Sequence, residues 1–345
     1  RRGQRCSTAA AYIHPNMDRK NLTIITGAHA DSVLFDNGIA TGVAYRKGGE
    51  LKNVKASAEV VLCAGVFQSA QLLLVSGVGP AEELKSHGIT VQADSPEVGK
   101  NLHDHPDMVI GYKVNRPDVM GVSPQSTWRM FRDILPYRSK GTGFWSSNVA
   151  ESGAFFSVES EPEWPDVQLH FGVACIQNHG RTLMPGHGVS VHICALRPDS
   201  RGSVTLNSSD SRDVPVIDPN VLGTEHDVRV MIAGARKTQQ IMAAEPMASN
   251  VVKDITFADA RSDDEIEAVL REQTDTVYHP VGTCRMGADA QSVVDPELRV
   301  RGVQGLRVVD ASVMPAIVSG NTNAPTVMIA EKAADMIRAA RGAQT

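Results

Sequence analysis

Residues 59–77 read EVVLCAGVFQSAQLLLVSG, and this one stretch decides the fold class. Its first seven residues are a short apolar run closed by Gly65, the pattern of a buried strand. From Val66 onward the pattern is helical, with Gly77 as its stop. A strand that turns through small residues into a helix is an α/β unit, and such units hold ligands at the carboxyl ends of their strands.

Working outward, LTIIT at 22–26, SVLF at 32–35 and ATGVAY at 40–45 predict a hairpin or meander, with its turn at Asp36-Asn37-Gly38. Between 107 and 274 the texture changes to prolines, tryptophans and short alternating runs. SVHICAL at 190–196 and GSVTL at 202–206 predict an antiparallel sheet. A helix follows near 227–243, with Val228, Met231, Ile232 and Ala235 on one face. After 274 the α/β texture returns. LRVVD at 306–310 is a strand, and TVMIAEKAADMIRAA at 326–340 is a helix with Ala330, Ala333, Ala334 and Ile337 opposite its charged residues. The fold class expected is therefore α/β with an α+β, sheet-based insertion. The ranges expected are 1–106, 107–274 and 275–345, the first and last forming one domain.

The 345 residues, 42% of them hydrophobic, suffice for a large core. A net charge of −5 leaves no electrostatic footprint for nucleic acid, and no apolar run is long enough for a membrane span. Five widely spaced cysteines without a C-x-x-C predict free thiols in a reducing, cytoplasmic compartment.

The chemistry concentrates in VYHPVGTCRMG at 277–287, where His279 precedes a proline and Gly282 and Cys284 follow. An imidazole, with an ordinary pKa of ~6.5, can accept and release a substrate proton near neutrality. The same histidine could instead be a satisfied loop residue, or pair with Cys284 as a nucleophile, although a buried inert thiol is the simpler reading of Cys284. His103 and His105 in HDHP read as structural, since His-x-His with one aspartate is a weak metal signal, and no metal is expected. His170 in DVQLHF either lines a cavity or packs. Glu151 in SNVAES either faces a cationic substrate or is solvated.

Four ordered blocks carry a family resemblance: NLTIITGAHADSVLF at 21–35, AGVFQSAQLLLVSGVGP at 64–80, VGKNLHDHP at 98–106, and VYHPVGTCRMG at 277–287 with the run from 306 to 337. Together they resemble the glucose–methanol–choline (GMC) flavoprotein oxidoreductases, in the texture of the choline-dehydrogenase-like alcohol dehydrogenases and oxidases. The resemblance implies an FAD-binding domain joined to a sheet-based substrate domain, and oxidation of a small-molecule alcohol by hydride transfer to flavin. Oxygen or another electron acceptor would then reoxidise the flavin. It also implies His279 as the base, Asn323 in GNTNAPT as its hydrogen-bonding partner, and Asp310 and Ala311 beside the FAD phosphates. Ala30 falls where the family usually has a valine at the adenine, and Thr326 opens a helix beside the flavin ring. Val66 and Ala70 depart from the family's second signature. No G-x-G-x-x-G follows a strand here, so the resemblance further implies an FAD-binding segment preceding Arg1. Two other functions use the same residues: a hydroxynitrile-lyase-type use of the fold without redox chemistry, and a flavin-free Cys–His hydrolase.

Overall fold

The computed structural model describes residues 3–159, 163–175, 184–257 and 262–342. The chain forms two compact units, one of residues 27–106, 196–227 and 276–345, the other of 1–26, 107–195 and 228–275. The expected ranges divide the chain differently: 1–26 and Asp275 fall with the sheet-based unit, and 196–227 with the α/β unit. The second difference has a clear cause. The Ser203–Thr205 strand pairs with Val216–Asp218, Val204 donates its N–H to Gly99 O, and Val204 and Leu206 join the α/β core beside Val98 and Leu102.

In the α/β unit, the Val60–Leu62 strand pairs in parallel with Leu306–Val308, and the Gly65–Val75 helix follows at once. Val60 and Leu62 are buried, whereas Val61 between them is exposed, so the apolar run alternates rather than being covered on both faces. The helix buries Leu72, Leu73 and Leu74 against Leu84, Leu102 and Leu306. Each such leucine contributes roughly 1.5–3 kcal/mol of burial. Asp310 fastens the ends of the two parallel strands. Its carboxylate accepts from the Gly65 N–H (2.9 Å), the Ser69 hydroxyl (2.5 Å) and the Ser312 N–H (2.8 Å).

The antiparallel meander Ala28–Asp36, Ile39–Lys47 and Glu50–Lys55 completes this unit. Asn37 (φ 49°) and Gly38 (φ 77°) make its first turn, the two positive values that a tight two-residue hairpin requires. The LTIIT run at 22–26 is not a strand. Leu22, Ile24 and Ile25 are exposed, and β-favouring composition yields a strand only where a partner edge and a buried face exist.

The other unit is built on antiparallel strands in the order Val251–Asp254, Pro106–Val114, Gly186–Ala195, Val167–Gly172 and Ala150–Phe156. One face carries Met108, Ile110, Val167, Leu169, Val191 and Ile193, all buried. The Glu225–Met242 helix packs on it through Gly234, whose added Cβ would sit 2.9 Å from Ile193. Val228, Met231 and Ala235 are buried as the helical period predicts, and Ile232 is half-buried. The helices Pro124–Arg132 and Ile134–Lys140 were not legible in the proline-rich stretch around them. Among the described residues no helix is long and apolar enough to cross a membrane.

Replacing Asp310 by alanine strips the acceptor from two backbone amides and a hydroxyl. We expect Asp310→Ala to lose roughly 2–4 kcal/mol of stability, read as a lower urea midpoint with an unchanged slope. An unaltered midpoint would show that the carboxylate is not what joins the strand ends.

Candidate active site

The segment carrying His279 is held along two sides within the α/β unit. On one side His103 and Val281 exchange backbone hydrogen bonds of 3.0 and 2.9 Å, and Gly99 donates to Thr283 O at 2.8 Å. On the other, Cys284 donates to Ser312 O at 2.9 Å and Met286 to Val313 O at 2.8 Å. Gly282 makes the first contact possible. Its φ is +99°, and an added Cβ would lie 2.2 Å from Asn101 O, so neither the conformation nor the space admits a side chain.

Asp104 orders the histidines at the end of this track. Its Oδ1 accepts from the N–H groups of His105 (2.8 Å) and His279 (3.1 Å), and its Oδ2 accepts from the Thr276 hydroxyl. The His279 ring then has a neighbour at each nitrogen: His105 Nδ1 lies 3.1 Å from its Nδ1, and Asn321 Nδ2 lies 3.1 Å from its Nε2. His105 is completely buried, His279 half-buried and Asn321 exposed, so the Nε2 side is the accessible one.

The amide that meets His279 is that of Asn321, two residues before the expected Asn323. Asn323 is the first residue of the Asn323–Gly342 helix, while Asn321 lies in the loop just before it.

His103 also binds within this loop region. Its Nε2 lies 3.0 Å from Asn101 Oδ1, and its Nδ1 accepts from the Ile317 N–H at 3.4 Å. Burial, with the charge of Arg201 adding to it, pushes its pKa down to about 4, so this ring is neutral near pH 7. Cys284 is fully buried, and its thiol is pushed up to about 12 by burial first and then by the charge of Asp310. A thiol so placed is not a nucleophile at neutral pH, which removes the Cys–His hydrolase reading. Among the described residues no group of three or more His, Cys, Asp or Glu side chains is arranged to hold a metal ion.

Family models for GMC oxidoreductases match residues 1–107 and 198–330. The chain belongs to the GMC oxidoreductase family. It is similar to an alcohol dehydrogenase (acceptor) of Pseudomonas putida, at 48% identity over 97% of this chain and 61% of that protein. An oxygen-dependent choline dehydrogenase of Burkholderia vietnamiensis is 41% identical over 98% of this chain and 60% of its own length. Among solved structures, a formate oxidase of Aspergillus oryzae in a study of its FAD modification matches with a TM-score of 0.91 and 28% identity. That match covers 100% of this chain and 65% of the other. The GMC chain described here thus spans about three-fifths of the length of the curated relatives it matches.

The residues expected around the FAD of a GMC enzyme all lie in the α/β unit. Asp310 and Ala311 stand at the carboxyl end of the Leu306–Val308 strand, beside the turn at Gly65. Gly65 has a φ of +83°, and no atom lies within 4 Å of its Cβ position, so bare main chain faces open space there. Such a surface at the ends of parallel strands fits an extended dinucleotide. Ala30 sits exposed at a register shift in the meander, and the Thr326 hydroxyl donates to Thr322 O at 2.7 Å in the first turn of the last helix.

The two expected substrate residues lie in the sheet-based unit. Glu151 is exposed near the start of the Ala150–Phe156 strand and accepts from the Ser147 hydroxyl. His170 belongs to a polar cluster that the sequence did not reveal. It lies opposite His192 across the sheet, with Cys194 Sγ 3.6 Å from its Nδ1. Asp107 accepts from Cys194 Sγ at 3.1 Å and from His192 Nδ1 at 2.7 Å. The alternation in SVHICAL was the signal, since it puts His192 and Cys194 on one face.

Burial works to lower the pKa of His192, but the hydrogen bond and charge of Asp107 outweigh it, and the net shift is upward. A raised folded-state pKa stabilises the fold below the unfolded value of about 6.5, and that contribution is lost as pH rises through the folded value. Asp107→Asn should therefore lower the His192 pKa in an NMR titration. It should also destabilise the protein more at about pH 5.5 than at about pH 8. Equal destabilisation at both pH values would mean that the pair carries no charge.

Proposed function

We propose that this protein is an FAD-dependent alcohol oxidoreductase in which His279 takes the hydroxyl proton and Asn321 holds the oxygen. The observation that carries this reading is the 3.1 Å contact of Asn321 Nδ2 with His279 Nε2 on the accessible side of the ring. A hydroxyl brought to that point lies within reach of both side chains. His279 Nε2 accepts its proton, and the Asn321 N–H donates to the oxygen as negative charge grows there. A carboxamide does not compete for the proton, so the two roles stay separate.

FAD, when bound, supplies the hydride acceptor. Ala30, Asp310, Ala311 and Thr326 are the residues of this chain that would hold it. The Asn323–Gly342 helix directs its unpaired amides to its start, and their positive end favours negative charge there by roughly 0.3–1 kcal/mol. Supporting this reading are the family membership, the alcohol and choline dehydrogenases among the relatives, and the bare main chain at Gly65.

The test uses the protein expressed from its complete reading frame. Alcohols should bleach its yellow colour anaerobically. His279→Ala should retain FAD while slowing that reduction roughly 10²–10⁴-fold. Asn321→Ala should slow it too, with the double variant costing less than the two losses combined, because the residues act on one oxygen. A yellow protein that no alcohol bleaches would favour the non-redox, lyase-type use of the fold.

A further inference from the structure

We propose that His105 is a positioning residue that fixes the proton of His279 on Nδ1 and so makes the Nε2 lone pair the basic one. The inference rests on the reading of His279 as the base and adds a cause for which nitrogen does the work. It begins from a carbonyl. Val318 O, 3.0 Å from His105 Nε2, can only accept, so His105 Nε2 carries a proton.

A second proton on that ring would make it a cation. His105 is 0% exposed, and burial disfavours the charged form. With its Nε2 proton held by Val318 O, the neutral His105 ring presents a lone pair at Nδ1.

The other ring faces that lone pair. The two Nδ1 atoms are 3.1 Å apart, a distance that needs one proton between them, and only His279 can supply it. The ring planes cross at 89°, so the rings are not stacked. With its proton on Nδ1, neutral His279 has a lone pair on Nε2. The far side of the ring agrees independently, since Asn321 Nδ2, a donor, is what lies 3.1 Å from Nε2.

The hydrogen bonds thus run in one direction: Asn321 to His279, His279 to His105, His105 to Val318 O. Both ends of the chain lie on one short loop, three residues apart, and His103 holds the same loop through the Ile317 N–H. When Nε2 takes a proton from substrate, the Nδ1–H of the resulting cation already has its acceptor in place. No atom has to move for that proton to be accepted. A neutral acceptor supports the cation less than a carboxylate would, so His279 gives the proton up again readily.

The test is 15N NMR of the complete, FAD-loaded protein with labelled histidine. His279 should show a protonated, pyrrole-type Nδ1 and an unprotonated, pyridine-type Nε2 when neutral. In His105→Phe, which keeps the bulk and removes the acceptor, the proton should move to Nε2 in a large share of molecules. Alcohol-dependent flavin reduction should fall at least roughly tenfold with FAD content unchanged. His105→Asn, which can set a carbonyl oxygen near the lost Nδ1, should restore the Nδ1–H form and part of the rate. A wild-type spectrum with the proton on Nε2 overturns the proposal, and that measurement needs no variant to fold. An unchanged tautomer in His105→Phe overturns it as well. His279→Ala measured in parallel separates the two readings. Normal flavin reduction there removes the base itself, whereas lost reduction with an indifferent His105→Phe removes only the role given to His105.

Discussion

Asp104 sets one carboxylate where the amides of His105 and His279 and the hydroxyl of Thr276 all need an acceptor. Residues 104 and 279 are 175 positions apart, so this is a long loop closed at a point. The entropic cost of closure grows only with the logarithm of loop length, and hydrogen bonds to an ionised oxygen are about twice as strong as neutral ones. Fixing both backbone amides fixes where the two rings begin. The rings can then meet nitrogen to nitrogen only because the flanking backbones already run side by side, which Gly282 permits against Asn101.

The sheet-based unit meets a different demand with the same economy of residue types. Because side chains alternate along a strand, one face of Gly186–Ala195 is Val189, Val191 and Ile193, and the other is Ser190, His192 and Cys194. The first face receives a helix and needs no polar partner. The second must satisfy its polar groups within itself, and Asp107 on the neighbouring strand does so for two of them. A one-residue slip of the Gly186–Ala195 strand against its neighbours would turn His192 and Cys194 under the helix, so the register is strongly specified.

Much of this was legible in the sequence. The strand, turn and helix at 59–77 could be read because period, glycine placement and length all agree, and Asp36-Asn37-Gly38 because few residues tolerate two successive positive φ values. His279 stood out by its setting. The failures share one cause, which is that the deciding partner is distant in sequence. LTIIT looks like a strand until its missing partner edge is known. Residues 196–227 look like more of the sheet insertion until Val204 is seen in the other core. That Asn321 reaches His279 depends on a loop whose course is set by His103 and His105, more than 200 residues earlier. Composition could not show that one of those two histidines touches His279.

Cys284 lies five residues beyond His279, in the same track between the 98–105 and 311–313 segments, with its sulfur sealed from solvent. Its thiol is held protonated by burial, so alkylating reagents meet neither an exposed nor an ionised sulfur there. Cys6 and Cys63, by contrast, are exposed. The buried thiol consequently acts as a built-in timer of local opening. The rate at which it becomes modifiable under native conditions reports how often the segments flanking this track part. Solvent access at that one sulfur thus measures the standing rigidity of the track that carries His279, separately from the stability of the chain as a whole.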